Sequence, residues 1–221
     1  MTINRERIEL PALVVLTLVA LLVSGLAPYD RTTWWLEVAP VLIILPTLLL
    51  TGRRFPLTIL VYRLLFLHGL ILMLGGHYTY ARVPLGFWVQ DLLDLSRNHY
   101  DRLGHLAQGF IPALLVREIL VKKLFLPQGR WLFFIVSSIC LAFSACYAFV
   151  EWWAALLGGD SAEAFLGTQG DVWDTQWDMF LALVGSILAQ LLLSGRHDRE
   201  LGKLYCCRQV TVAVKQEDGA G

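Results

Sequence analysis

Charged residues and cysteines are both scarce in this chain. Charged residues make up 16% of its 221 residues, whereas soluble domains carry about 25%. The formal net charge is +0, which excludes the overall basic field expected of a nucleic-acid-binding protein. The four cysteines are Cys140, Cys146, Cys206 and Cys207. Because their spacing matches neither a zinc site nor a disulfide framework, the cysteines predict neither.

Apolar residues dominate instead, at 57% of the chain with a mean hydropathy of +0.60. They occur in six runs, each close to the ~20 residues needed to cross ~30 Å of hydrocarbon. The runs lie near residues 10–28, 34–51, 57–74, 104–121, 131–153 and 175–194. The sequence therefore predicts an all-α polytopic membrane bundle of about six transmembrane helices over residues 1–200. Residues 201–221 are expected to form a partly disordered cytoplasmic tail.

The first apolar run has two interpretations. Arg5 and Arg7 precede it, as in a signal peptide. However, Glu6 and Glu9 fall in the region that would have to be positive, and the apolar core is long. We therefore expect a retained membrane helix rather than a cleaved segment.

Positive charges are distributed unequally between the connections. Thirteen lysines and arginines fall on the side that holds the N-terminus, the second and fourth connections and the tail, against four on the other side. Cytoplasmic loops of inner-membrane proteins carry the excess of positive charge. The bias predicts that both termini are cytoplasmic and that the connections near residues 75–103 and 154–174 face outward.

Polar residues form stripes at the ends of three predicted spans. In the segment DLLDLSRNHYDRLGHLAQGFIP, at residues 91–112, steps of three and four separate Asp91, Asp94, Asn98, Asp101, His105 and Gln108. Similar steps relate Ser137, Cys140, Ser144, Tyr147 and Glu151, and also Asp171, Asp174 and Asp178. On helices such residues share a face. Because each charged group in lipid costs about 2.5–3.5 kcal/mol, we expect the stripes to converge in an acidic, histidine-containing pocket.

The residue types in this pocket suit two kinds of chemistry. Mixed histidine and carboxylate ligands favour a divalent cation such as zinc or manganese, and a carboxylate beside a histidine suits metal-free general-base catalysis. The candidate catalytic residues are Asp101, His105, Glu151, Asp174 and Asp178. The candidate metal ligands are His77, His99, His105, Asp101 and Asp178. No motif such as HExxH distinguishes the two readings.

Other polar residues in the apolar runs have structural interpretations. Arg63 is expected to form an ion pair with Glu118 at the cytoplasmic end. His68, in the middle of a span, is expected to be hydrogen-bonded inside the bundle. His197 is expected to be a solvated residue of the tail, and Asp174 has the alternative role of a first-turn acid that interacts with the helix dipole.

Four segments carry a resemblance to a known family. They read GGHYTYARVPLG, RNHYDRLGHLAQGF, EWWAA and GDVWDTQWDM. In these segments, and over about residues 10–200, the chain resembles the YjdF-like bacterial inner-membrane family. The resemblance implies a multi-pass protein of the bacterial inner membrane. Because the family has no assigned activity, the resemblance implies no catalytic residue.

These observations leave three functions open. The leading one is a metal-dependent hydrolase or transferase that acts on a lipid or envelope substrate at an outward-facing polar site in the bilayer. The alternatives are a small transporter or channel for protons or cations and a non-catalytic membrane scaffold. An enzyme needs a one-sided site, whereas a transporter needs polar groups through the full depth of the membrane. The clustering of the carboxylates at one end favours the enzyme.

Overall fold

The structure, a computed structural model, describes residues 2–158 and 168–218 and is helical throughout. Its helices are α1 (Thr2–Ser24), α2 (Arg31–Thr51), α3 (Ile59–Tyr78), α4 (Pro84–Leu93), α5 (Tyr100–Lys123), α6 (Arg130–Gly158) and α7 (Asp174–Asp218). A short 3-10 turn, Tyr80–Arg82, lies between α3 and α4. These two ranges contain no strand. The predicted all-α class is therefore confirmed.

Five of the helices are long and apolar enough to cross a membrane. They are α2, α3, α5, most of α6 (Arg130–Leu157) and the first part of α7 (Asp174–Leu204). The apolar part of α1, Ile8–Ser24, is shorter than these five. A polytopic membrane bundle is thus confirmed, with α1 as its least complete span. The cytoplasmic position of both termini and the division at residue 200 stay predictions.

Helix ends follow the local sequence. Asp30 caps α2, because its Oδ1 accepts a hydrogen bond from the Thr33 N–H at 2.6 Å. Helix α4 begins at Pro84 and ends at Leu93, and it is followed by Asp94, whose φ of 51° lies in the left-handed region. Helix α5 begins only at Tyr100, so residues 94–99 are a break between two helices. Asp91 and Asp94 therefore do not continue the polar stripe of α5, and that part of the predicted stripe is wrong.

Helix α5 lies at the centre of the bundle and packs against α3, α6 and α7. Its Ala113 and Leu114 are fully buried in an apolar core with Val61 of α3 and Val136 of α6. Large apolar side chains on the outside are exposed, among them Phe134, Leu191 and Leu192. This distribution is the one expected of helices whose outer faces contact lipid tails.

The closest helix contact joins α5 and α7 through two glycines. A Cβ atom added to Gly109 would overlap the backbone carbonyl of Ala182, and one added to Gly185 would overlap the backbone carbonyl of Leu106. Small residues allow membrane helices to approach this closely. The contact holds Asp101 and His105 of α5 against Asp178 of α7, because all three lie within two turns of it.

Substitution of either glycine should therefore weaken the bundle. Gly109→Ala or Gly185→Ala forces α5 and α7 apart, and overpacking of this kind costs about 1–3 kcal/mol of unfolding free energy. Thermal unfolding in detergent measures the loss. The matched control is Gly195→Ala, also in α7, because a Cβ there meets no atom within 4 Å. Equal unfolding temperatures for all three variants would contradict the close contact.

Candidate functional site

The site is formed by Asp101 and His105 of α5 and Asp178 of α7. His105 Nε2 lies 3.6 Å from Asp101 Oδ1 and 3.6 Å from Asp178 Oδ1. One ligand atom from each residue lies within 4.8 Å of the other two. The residues are 7%, 7% and 5% exposed, respectively. The structure thus brings together residues from two of the striped spans, as the cost of exposing them to lipid predicts.

Hydrogen bonding orients the imidazole ring. His105 Nδ1 lies 2.8 Å from Gln108 Oε1, one turn further along α5. Because an amide oxygen only accepts, Nδ1 is the donor of this bond. The lone pair of a neutral imidazole then lies on Nε2, which is the nitrogen that faces Asp101 and Asp178. In this tautomer His105 is ready to bind a cation between the two carboxylates.

Two carboxylate oxygens of the site lack hydrogen bonds. Asp101 Oδ2 and Asp178 Oδ1 are buried, and neither has a hydrogen-bond partner in the described part of the chain. A buried acceptor without a partner is costly, and a buried charge more so. These oxygens can therefore accept a hydrogen bond from a donor or bind a cation.

Two further acids adjoin the group. Glu151, in the C-terminal part of α6, lies within electrostatic range of Asp101, His105 and Asp178. Glu37 of α2 is buried and accepts a hydrogen bond from the Tyr147 hydroxyl at 3.3 Å. Glu37 was not among the sequence candidates, although it is the one acid within the apolar run that begins at WWLE. Asp30, Thr33 and Glu37 are separated by steps of three and four, as in the other stripes, so the spacing did offer a signal for Glu37.

Tyr80 connects Glu37 to the rest of the site. Its ring packs where glycines of α3 and α5 leave room, because a Cβ added to Gly75 or Gly104 would collide with it. Burial raises the pKa of the Tyr80 phenol well above its usual range, and the nearby Glu37 carboxylate raises it further. Tyr80 therefore stays a neutral hydrogen-bonding group beside the acids.

An ion-pair network covers the end of the bundle next to the site. Arg97 contacts Asp174 at 2.5 Å and Asp171 at 3.8 Å, and Arg102 contacts Asp171 at 2.9 Å. Arg97 also donates to the Thr168 carbonyl at 2.5 Å. These contacts fasten the segment before α7 to the start of α5. Asp174, a predicted catalytic residue, is thus paired with an arginine and lies outside the three-residue group.

This network should respond to acid. The Trp173 N–H, together with Arg97 and Arg102, holds the pKa of Asp171 below its usual value. Since the folded pKa is lowered, the stabilisation is present above the unfolded pKa of about 3.9 and is lost as the pH falls through the folded value. We expect Asp171→Asn to lower the unfolding temperature at pH 7 and to have a smaller effect near pH 2. An Asp91→Asn control should have the same unfolding temperature as the parent at both pH values. Equal effects of Asp171→Asn at the two pH values would contradict a stabilising role for the Asp171 charge.

Two predicted metal ligands lie apart from the group. His77 Nδ1 is hydrogen-bonded to the Ser24 carbonyl at 2.9 Å, which ties α3 to the end of α1. His99 immediately precedes α5, two positions before Asp101, so it does not share the face of Asp101 and His105. Burial lowers the pKa of His99, and the positive charges of Arg102 and Arg97 lower it further. The three-residue group contains neither histidine.

A second buried polar cluster lies at the opposite end of α5. Glu118 and His197 are both 0% exposed, and His197 Nε2 lies 3.0 Å from Glu118 Oε2. Glu118 also accepts from the Thr58 N–H at 2.9 Å, the Thr58 hydroxyl at 2.7 Å and Lys122 Nζ at 3.0 Å. All of its acceptor capacity is used. Because Glu118 is fully hydrogen-bonded, the cluster has the geometry of a structural contact that joins α3, α5 and α7.

The structure corrects three expectations from the sequence. Arg63 pairs with Glu9, at 2.5 Å, rather than with Glu118. His197 is buried and hydrogen-bonded, not solvated, because α7 continues through it against α5. His68 is buried, but its Nε2 has no hydrogen-bond partner among the residues described.

Comparison with known proteins places the chain among membrane proteins. The family model described as "Predicted membrane protein (DUF2238)" matches residues 10–199. The inner membrane protein YjdF of Escherichia coli (strain K12) is 52% identical over 187 residues, which cover 84% of this chain and 90% of that protein. No solved structure is significantly similar to the chain. The resemblance indicated by the sequence motifs is confirmed.

Proposed function

The chain belongs to the membrane protein family DUF2238, and on this premise we propose that it is an enzyme that binds one divalent cation through Asp101, His105 and Asp178. The chain is a multi-pass protein of the bacterial inner membrane. The proposed reaction is hydrolysis or group transfer on a lipid or envelope substrate.

One observation carries the cation site. Three ligand atoms lie within 4.8 Å of one another, and two buried carboxylate oxygens in the same place have no hydrogen-bond partner within the described ranges. Two carboxylates this close repel each other unless a proton or a cation lies between them. A divalent ion would satisfy both orphaned oxygens and the Nε2 lone pair at once.

The donor set fits zinc or manganese. Both accept imidazole nitrogen together with carboxylate oxygen. Three protein ligands leave a coordination position for water, as in catalytic zinc sites. A bound ion of this kind supplies a nucleophilic water at neutral pH. Glu151, next to the group, is suited to accept the proton of that water.

A substrate at the membrane boundary is favoured by the aromatic residues around the site. Trp152 and Trp153 follow Glu151 on α6, and Trp173 and Trp177 flank the start of α7, and all four are exposed. Tryptophan is enriched where the hydrocarbon meets the head groups. A site bordered by such residues would lie at the level of the lipid head groups.

A second candidate, a proton path, has its own support. Ser137 and Ser144 of α6 and Ser186 and Gln190 of α7 are buried between the two polar clusters, and Ser144 Oγ and Gln190 Oε1 lack partners in the part of the chain described. Unpaired polar atoms in a row could bind water. The enzyme is favoured because the glycine contact between α5 and α7 closes the side of the site that faces the membrane interior.

Elemental analysis separates the two functions. Protein purified without chelator, with zinc and manganese supplied, should contain one divalent ion per chain. Protein in vesicles should then show no proton uptake above that of empty vesicles when a pH gradient is applied. Absence of metal together with proton uptake would overturn the enzyme and support the path.

A further inference from the structure

A cavity of about 470 Å³ lies between α5, α7 and the start of α6, at the end of the bundle that holds the Glu118 cluster. Its volume falls in the range of small-ligand sites, about 300–1,000 Å³. The residues that line it include Arg117, Arg130, Ser194 and Asp198, together with the apolar Leu132 and Phe133. The cavity is thus partly polar and partly apolar, and it is separate from the acidic site.

Arg117 presents unused hydrogen-bond donors to this cavity. Its side chain is 6% exposed, and its Nη1 lies 2.6 Å from Asp198 Oδ1 and 2.9 Å from His197 Nδ1. An arginine has five N–H donors, of which Nη1 carries two. The other two nitrogens, Nε and Nη2, have no hydrogen-bond partner within the described ranges, and neither is sealed off by protein. Three N–H donors of a largely buried guanidinium are therefore open to a ligand.

The first turn of α6 adds backbone donors. Gly129 and Arg130 line the cavity at the point where α6 begins. The Phe133 N–H closes the first turn by donating to the Gly129 carbonyl at 3.1 Å, so the N–H groups of residues 130–132 precede the intrahelical bonds. A Cβ added to Gly129 would meet no atom of the described chain within 4 Å, so the space beside this turn is open. Free N–H groups at a helix N-terminus favour an anion.

The charges of the cavity suit an anion with one negative charge. Arg117 and Arg130 contribute two positive charges and Asp198 contributes one negative charge, so the charged side chains that line the cavity sum to +1. The Oδ1 atom of Asp198 already accepts from Arg117 and from Gln128 Nε2 at 2.9 Å. Arg130 is exposed. A phosphodiester carries one negative charge, and the fork of an arginine pairs with two phosphate oxygens.

The cavity lies where the membrane spans end. Helix α5 ends at Lys123, and the span of α6 begins at Arg130. Asp198 lies 24 residues after Asp174 on α7, which is about 36 Å along the helix and so just beyond ~30 Å of hydrocarbon. Trp131, next to Arg130, is 73% exposed, as is typical of tryptophan near the head groups. The cavity is therefore at the level of the lipid head groups.

We infer that this cavity binds a phosphate group, and that a phospholipid of the membrane supplies it. Arg117 Nε and Nη2 and the first N–H groups of α6 donate to the phosphate oxygens, and Arg130 supplies the second positive charge. Leu132 and Phe133 contact the start of the acyl chains. A soluble phosphate ion shares the chemistry of the head group, but it has no acyl chain to fill the apolar part of the cavity.

Three ligands separate the two sources of phosphate, with the purified full-length protein in a non-ionic detergent. Phosphatidylglycerol carries phosphate and acyl chains, diacylglycerol carries acyl chains alone, and inorganic phosphate carries neither chain nor glycerol. Native mass spectrometry should show phosphatidylglycerol bound at least about tenfold more tightly than diacylglycerol, the effect of one charged hydrogen bond. Equal binding of the two lipids would overturn the lipid phosphate as the ligand. A higher unfolding temperature with inorganic phosphate, but not with phosphatidylglycerol, would keep the phosphate site and reject the lipid as its source.

A pair of arginine variants tests the cavity itself. Arg130→Gln removes one of its two positive charges and should weaken binding of phosphatidylglycerol about tenfold. Arg199→Gln is the matched control, because Arg199 is exposed on α7 and does not line the cavity. It removes the same charge from the protein and should bind the lipid as the parent does. Equal losses in the two variants would indicate only a general attraction between basic residues and anionic lipid and would overturn the site.

A pair of tryptophan variants tests the space. Ser194 lines the cavity, so Ser194→Trp should fill it and abolish binding of phosphatidylglycerol. Ser138→Trp, on the exposed side of α6, is the control and should bind as the parent does. Unchanged binding in Ser194→Trp would overturn the cavity as the site.

The result is independent of the proposed metal site. Arg130→Gln should contain as much metal as the parent, because Arg130 lies outside the Asp101 group. Loss of lipid binding with unchanged metal supports the phosphate site alone. Lipid binding by a parent that contains no metal supports the phosphate site while removing the proposed enzyme.

Discussion

His105→Ala and Asp178→Asn should each yield a folded protein that has lost its divalent cation. Each change removes one of three ligands from a site whose members lie within 4.8 Å of one another. Loss of residues that merely orient ligands already costs 10–100-fold in metal affinity. Loss of a direct ligand should therefore exceed about 100-fold, and elemental analysis after purification should detect almost no metal.

Two controls make this result specific. His99→Ala removes a histidine from the same end of the bundle, and His77→Ala removes one that bonds the Ser24 carbonyl. Both were candidates by sequence, and the structure leaves both outside the group, so both variants should retain the parent amount of metal. Metal loss in His99→Ala with retention in His105→Ala would refute the assignment of ligands.

Glu118→Gln should produce the largest loss of stability among the variants considered. Glu118 is 0% exposed and binds Thr58, Lys122 and His197 at 2.7–3.2 Å. The amide removes the negative charge that faces Lys122, and it cannot accept all the hydrogen bonds that the two carboxylate oxygens accept. Removing one partner of a buried ion pair typically costs 3–5 kcal/mol, which chemical or thermal unfolding in detergent would measure.

The matched control lies on the surface of the same end. Arg196 pairs with Glu200 at 3.4 Å, with its side chain 50% exposed. Exposed pairs contribute about 0–1 kcal/mol, so Arg196→Ala should have an unfolding free energy close to that of the parent. If the unfolding free energy of Glu118→Gln is also close to that of the parent, the cluster does not stabilise the bundle as its hydrogen bonds indicate.

The sequence predicted the helices well because hydropathy and length are properties of one segment at a time. It also predicted the meeting of α5 and α7 at the site, since Asp101 and His105 lie one turn apart and lipid excludes them from the outer face. Residues 94–99 were misread as helix. The left-handed Asp94 and the pairing of Asn98 Nδ2 with the Val83 carbonyl at 3.0 Å depend on tertiary contacts that the polar periodicity does not contain.

Partners across helices were the least predictable feature. Arg63 and Glu118 lie at the same end of the bundle, but the rotation of α3 turns Arg63 toward α1 and Glu9. Glu37 shares its face of α2 with Thr33, but the spacing does not show which helix that face contacts. Arg196, Asp198 and Arg199 are sequence neighbours of His197 and suggested a polar tail. In the structure α7 continues past His197 and packs it against Glu118 of α5. Rotation and helix length decide these contacts, and neither is encoded in spacing alone.

The Glu118 cluster also sets an order of events during synthesis of the protein. Glu118 lies 60 residues from Thr58 and 79 residues from His197. At about 5–20 residues per second, the ribosome needs roughly 4–16 s to pass from Glu118 to His197. For that interval the Glu118 carboxylate lacks one of its final partners. A nascent chain that stops before α7 cannot complete this cluster.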